Sequence, residues 1–292
     1  MTDNTKGAFL MMASMLAFVL NDLCIKATGG TVPLFQLLLL RGLLSTSLIF
    51  LLAWRLGALR FNLPGSDHGL IVLRSASEIA AAYFFLTALF HMPLANVTAL
   101  LQLLPLTVTL GGALVFRERI GWRRLLAILI GFVGMLLIVR PGTDGFTQYT
   151  IYALISVACV TVRDLATRRM SGAVPSMFVT LSAAASVTLF SGIAMLGEPW
   201  VTPTPTQYAL IVSSAFFIIG GYLFSVMVMR VGELGFVTPF RYTSLVWALL
   251  LGWLVFGEWP HILTLVGATI IVATGIFTLY RERQLRRRAA RA

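Results

Sequence analysis

"NDLCIKATGGTVP" (residues 21–33) and "RDLATRRMSGAVP" (residues 163–175) decide how this chain is read. Asp22 faces Asp164, Lys26 faces Arg168, Gly30 faces Gly172 and Pro33 faces Pro175, all at a spacing of 142 residues. Further on, "LANVT" (94–98) faces "LGFVT" (234–238), and "VFRE" (115–118) faces "VFGE" (255–258), now at a spacing of 140. Apolar residues match by chance in any greasy chain. Asp, Glu, Gly and Pro matching in order do not, so the chain is an internal repeat.

The repeat lies in a very apolar setting. Of 292 residues, 58% are hydrophobic and 11% are charged, with a mean hydropathy of +0.90. Soluble domains carry about 25% charged residues. A transmembrane helix needs roughly 20 mostly apolar residues. Ten such segments fill the chain, at about 7–27, 34–54, 69–90, 94–115, 122–140, 148–168, 175–196, 207–229, 235–257 and 261–280. Runs such as "LLAILIGFVGMLLIV" do not alternate as barrel strands do. The fold class is therefore an all-α integral membrane protein.

Five spans per half is an odd number, so the second half enters the membrane from the opposite side. The expected architecture is ten transmembrane helices in two inverted-topology five-helix repeats, over 1–143 and 144–280, with a basic tail at 281–292. Inverted repeats characterise many secondary transporters.

The net charge of +11 follows the membrane rather than nucleic acid. The bases sit in short gaps, among them Arg55, Arg117, Arg123, Arg168 and Arg169, and in the tail "RERQLRRRAARA". Those gaps share one side if both termini are cytoplasmic, as the positive-inside rule requires. An anionic-lipid site is a lesser reading of the Arg run. Lys6 and the apolar run after it resemble a signal peptide, but no cleavage site follows in a polar context, so this is an uncleaved first span. Cys24 and Cys159 have no metal or redox spacing and read as packing residues.

With "PLANVTALLQLLPLTVTLGGALVFRERIGWRRLLAILIGFVGMLLIVRPG" (93–142) and "GFVTPFRYTSLVWALLLGWLVFGEWPHILTLVGATIIVATGI" (235–276), the chain resembles the EamA-type branch of the drug/metabolite transporter superfamily. Each half has a Pro early in its second span and an acid, Glu118 or Glu258, closing its fourth. The resemblance implies a carrier of small metabolites in the bacterial inner membrane, with no cofactor. Relatives move riboflavin, S-adenosylmethionine or amino acids. The expected substrate is a riboflavin-like vitamin taken up; export of amino acids or related metabolites is the alternative.

Charges inside a membrane are costly and usually mark a pathway or a pair. Glu78 is the deepest acid, a site for proton coupling or a substrate cation, or else half of an ion pair. Arg41 and Arg241 offer planar forks to an anionic group, or they snorkel. Tyr83, Tyr222, Tyr242 and Trp247 would stack a flat ring, with Gln102 near Pro105 supplying a hydrogen bond. Singly, each is ordinary core. Asp22 with Lys26, and Asp164 with Arg168, share helix faces four residues apart; they are candidate gates at opposite surfaces, or neutralised helix ends. Glu118 and Glu258 read as helix-end structure.

Other classes have little support. The sequence has no His-Glu-x-x-His, no intramembrane Gly-x-Gly-Asp and no Gly-x-x-x-x-Gly-Lys loop, so an intramembrane enzyme or a nucleotide-driven pump is not indicated. The expected partners are a small-molecule substrate and the bilayer.

Overall fold

A computed structural model describes residues 3–55, 65–117, 121–141, 146–171, 174–231 and 237–289. Glu118, Gly172 and the 143/144 repeat boundary lie outside the described residues. The described elements are helices: α1 (Asp3–Ala27), α2 (Leu34–Arg55), α3 (Gly65–His91), α4 (Leu94–Leu101), α5 (Leu104–Phe116), α6 (Trp122–Val139), α7 (Gln148–Arg169), α8 (Ser176–Ala194), α9 (Pro205–Val231), α10 (Thr243–Phe256) and α11 (Ile262–Ala289). Short 3-10 turns follow α8 (Met195–Gly197) and precede α10 (Thr238–Tyr242). Counting α4–α5 as one segment, and the second 3-10 turn with α10 as another, eight are long and apolar enough to cross a membrane. Two shorter apolar stretches, Leu125–Val139 and Ile262–Thr278, lie within α6 and α11. The expected segments are all helical, but α11 runs on into the basic tail, to Ala289.

Prolines set several starts. Pro33 stands just before α2, Pro93 and Pro175 cap α4 and α8, and Pro205 begins α9. A missing N–H costs nothing where the helix has no acceptor for it. Pro105 acts differently. It leaves the Leu101 carbonyl without its helical donor, and the segment breaks at Gln102–Leu103 into α4 and α5. At the interval of 140, the matching place is Tyr242–Thr243, where the 3-10 turn passes into α10. The repeat also reproduces a left-handed helix end: φ is 55° at Arg117 and 65° at Gly257.

The packing partners follow the repeat. α1 packs mainly on α9, α3 on α7, α2 on α8, α6 on α11 and α4 on α10. The repeat equates α1 with α7, α2 with α8, α3 with α9, and α6 with α11. Exchanging the halves turns the α1–α9 pair into α7–α3 and returns α2–α8 and α6–α11 to themselves. Two halves around a two-fold axis have this contact pattern. At α6–α11 the backbones touch: a Cβ on Gly134 would lie 2.8 Å from the Gly267 carbonyl oxygen, and one on Gly267 would overlap that of Gly134. Small residues permit such an approach where lipid provides no hydrophobic drive. Leu100, Leu106, Ile128 and Ile271 fill the core beside it, fully buried.

Candidate functional site

Charge collects where α3 meets α7. Arg74 and Glu78 are one turn apart on α3 and face the same way; Arg74 Nη1 lies 3.7 Å from Glu78 Oε2. From α7, Arg163 Nη1 approaches Glu78 Oε1 at 3.3 Å, and its Nη2 lies 2.9 Å from Asp164 Oδ1. Glu78 thus sits between two guanidinium groups. Arg74 is held in turn by Thr167 Oγ1 at 2.9 Å and the Val179 carbonyl at 3.3 Å. On the other flank, Arg41 Nη1 donates to Asn21 Oδ1 at 3.3 Å, and Asn21 Nδ2 donates to Asp22 Oδ1 at 2.9 Å. Asp22, Glu78 and Tyr222 all lie within electrostatic range of Arg41.

These groups surround a cavity of about 100 Å³. Arg41, Arg74, Glu78 and Tyr222 line it, with Ser45 and Thr188 in the wall. Its walls come from α2, α3, α8 and α9. The first two belong to one half and the last two are their repeat equivalents. The cavity therefore lies between the halves, around the two-fold relation.

Of the residues singled out from sequence, Glu78, Arg41 and Tyr222 meet at this cavity. The others do not line it. Tyr83 stacks on Phe35, centroids 5.9 Å apart. Tyr222 itself meets Phe18 edge-on at 5.4 Å. Tyr242 is buried against Gly275. Trp247 packs with a cluster containing Met11 and Met15. One ring of the four reaches the cavity, because the others stand on helix faces turned to different neighbours. Gln102 Nε2 donates to Ser244 Oγ at 2.6 Å, tying the two broken segments together. Arg241 is exposed on the 3-10 turn.

The bases of the two opening motifs find partners on other elements, and their acids find them next door in sequence. Lys26 Nζ lies 2.8 Å from Glu258 Oε1 and also donates to the Met92 carbonyl. Glu258 Oε2 accepts the Leu94 backbone N–H at 2.9 Å. A carboxylate at the start of α4 meets free N–H groups and the positive end of the helix dipole, which accounts for Glu258 as more than a turn residue. Asp164 is taken by Arg163, and Arg168 lies over the Phe116 ring at 5.3 Å. Sequence reading missed Arg74, Arg163 and the role of Glu258. The four-residue spacing of Arg74 and Glu78 was a visible signal; the other two needed the tertiary fold.

A model of the EamA-like transporter family matches residues 5–140 and again residues 148–280. The S-adenosylmethionine uptake transporter of Rickettsia prowazekii (strain Madrid E) is 23% identical over 283 residues, 95% of this chain and 94% of the relative. The pseudopaline exporter CntI of Pseudomonas aeruginosa (strain UCBPP-PA14) is 25% identical, over 92% of this chain and 94% of its own. The riboflavin transporter of Rhizobium johnstonii (strain DSM 114642 / LMG 32736 / 3841) is 25% identical, over 84% and 80%. One crystal structure shares the fold with a TM-score of 0.66 at 19% identity, covering 94% of this chain and 97% of that one.

Proposed function

Because this chain belongs to the EamA-like transporter family, a family of multi-pass membrane carriers, we propose that it moves a small zwitterionic metabolite across the bacterial inner membrane by alternating access. In this reading all ten apolar segments span the membrane. Residues 1–143 and 144–280 are inverted repeats, and both termini and the 281–292 tail are cytoplasmic.

One observation carries the substrate class. The cavity between the halves presents Arg41 and Arg74 beside Glu78. Two guanidinium forks suit a carboxylate, and the Glu78 carboxylate suits a cationic centre. A substrate bearing both charges satisfies both. At about 100 Å³ the cavity is smaller than the roughly 300–1,000 Å³ of small-molecule sites, so a substrate enters when the halves part.

The Lys26–Glu258 bridge joins α1 to the loop before α11, and by the inverted topology it closes the outer face. Arg168, the repeat equivalent of Lys26, acts at the inner face. Asp22 and Asp164 support these gates through Asn21 and Arg163. Glu78 is also the residue to test for proton coupling.

Riboflavin-like uptake is the second reading, favoured by Tyr222 in the cavity wall. The two separate in a thermal-shift titration of purified protein. A ligand that binds only the folded state stabilises it by about 2.7 kcal/mol at 100 times its Kd. Stabilisation by zwitterionic metabolites, lost in Arg41→Ala, supports the first reading. Stabilisation by riboflavin alone replaces it with the second.

A further inference from the structure

A second cavity lies on the far pair of helices. Between α6 and α11 runs a groove of about 530 Å³, lined by Trp122, Leu126, Ile130, Ala273 and Phe277. It shares no residue with the charged cavity. Its lining is apolar apart from Arg123 at one end and Thr274, whose hydroxyl is already spent on the Ile270 and Ile271 carbonyls at 2.8 and 3.0 Å. The groove therefore offers a polar ligand nothing along its length.

Its rim is different. Gly134 meets Gly267 and Gly131 faces Thr274, so α6 and α11 run in opposite directions, and Trp122 and Phe277 lie farther along the same cleft, in the groove. The start of α6 thus lies beside the end of α11. Ala273, Phe277 and Arg281 follow at four-residue steps on one helix face, so Arg281 stands one turn, about 5 Å, beyond the groove. Arg123 is exposed at the same end, its guanidinium over the Trp122 ring at 5.3 Å. Past it, α11 continues through the Arg-rich "RERQLRRRA". Trp122 is 69% exposed, as befits a ring at a membrane interface.

We infer that this groove is a binding site for an anionic phospholipid, one acyl chain lying along the α6–α11 cleft and the phosphate held at the rim by Arg123 and Arg281. Charge complementarity selects the occupant. Ordinary annular lipid needs neither a cleft nor a basic rim. A second copy of this chain would bring its own Arg-rich rim against this one. Guanidinium groups bind phosphate through paired hydrogen bonds, and basic clusters beside a span attract anionic headgroups.

The test is native mass spectrometry of delipidated protein titrated with phosphatidylglycerol or phosphatidylcholine of identical acyl chains. The site predicts one saturable phosphatidylglycerol, held about tenfold more tightly than phosphatidylcholine, whose choline cancels the headgroup charge that the two Arg attract. Arg123→Gln/Arg281→Gln abolishes that preference. Ala273→Phe, which fills the groove, lowers occupancy by both lipids. Equal binding of the two lipids by the wild type overturns the inference, as does a preference unchanged in the double Arg variant. A dimer that Ala273→Phe dissociates, with lipid binding unchanged, assigns the groove to a second copy and also overturns it. Neither variant touches the charged cavity, so the outcome is independent of the transport reading.

Discussion

Thr46 and Thr188 touch, hydroxyl to hydroxyl, at 3.0 Å, and they stand 142 residues apart, the same interval that separates Asp22 from Asp164. A residue in contact with its own repeat equivalent lies on the axis relating the halves. Both threonines belong to the α2–α8 crossing, and Thr188 is also in the cavity wall. The repeat read from the sequence is thus the symmetry that builds the cavity.

Packing at this crossing outweighs its hydrogen bond. Interhelical hydrogen bonds in membranes are worth about 0.6 kcal/mol on average, so Thr46→Val has a small effect. A Cβ at Gly42 would overlap Thr188 Oγ1, and overpacking costs about 1–3 kcal/mol. Thermal unfolding in detergent shows a larger loss for Gly42→Leu than for Thr46→Val. The reverse order would place the stability of the crossing in its polar contact.

The Lys26–Glu258 bridge is partly buried, with side-chain exposures of 10% and 24%. Glu258→Gln removes the charge and leaves an acceptor for the Leu94 N–H. Glu258→Ala removes both, and an unsatisfied buried group costs about 1–3 kcal/mol. Stability therefore falls further in Glu258→Ala. As a gate, Glu258→Gln alone changes the accessibility of cysteines placed below it to an impermeant thiol reagent. Unchanged labelling would leave the pair a structural tie.

Arg41 and Arg241 separate in transport kinetics. Arg41 lines the cavity and Arg241 is exposed away from it. A hydrogen bond to a charged group is worth about 1.5–3 kcal/mol. Arg41→Ala raises KM about 10- to 150-fold on that scale, while Arg241→Ala leaves KM within a factor of two. A large KM effect confined to Arg241→Ala would move the site to the broken helix.

Glu78 stands between Arg74 and Arg163. Removing it leaves two guanidinium groups facing each other across the cavity edge, so Glu78→Ala destabilises the fold, by less than the roughly 3–5 kcal/mol of a fully buried broken pair, because these side chains keep 14–25% of their exposure. Glu78→Ala/Arg163→Ala recovers part of that loss in the same unfolding assay. If Glu78 couples protons, Glu78→Gln abolishes acceleration by an imposed proton gradient. Acceleration that persists assigns coupling elsewhere.

Much of the fold was legible because membrane helices are written in continuous apolar runs and in punctuating prolines. Pro33 and Pro175 mark helix starts, and Pro105 and Pro239 accompany the broken segments. The site was only partly legible. Glu78 and Arg41 stood out as charges deep in apolar runs. Arg163 did not, because it stands among the charges ending its span, and its reach to Glu78 shows only when α7 is laid against α3. Tyr83, Tyr242 and Trp247 illustrate the opposite error. Aromatic side chains in a membrane protein have many apolar places to go, and residue type does not say which helix face each one takes. Lys26 was read beside Asp22 on one helix face, whereas its bridge crosses between the halves to Glu258.

The most direct test of the central claim is counterflow in proteoliposomes. Vesicles preloaded with a zwitterionic metabolite panel or with riboflavin take up trace label of the same compound, for wild type, Arg41→Ala and Arg241→Ala. The account predicts saturable counterflow of a zwitterion by the wild type, retained in Arg241→Ala and lost in Arg41→Ala. Counterflow of riboflavin alone, or zwitterion flux unaffected by Arg41→Ala, would contradict it.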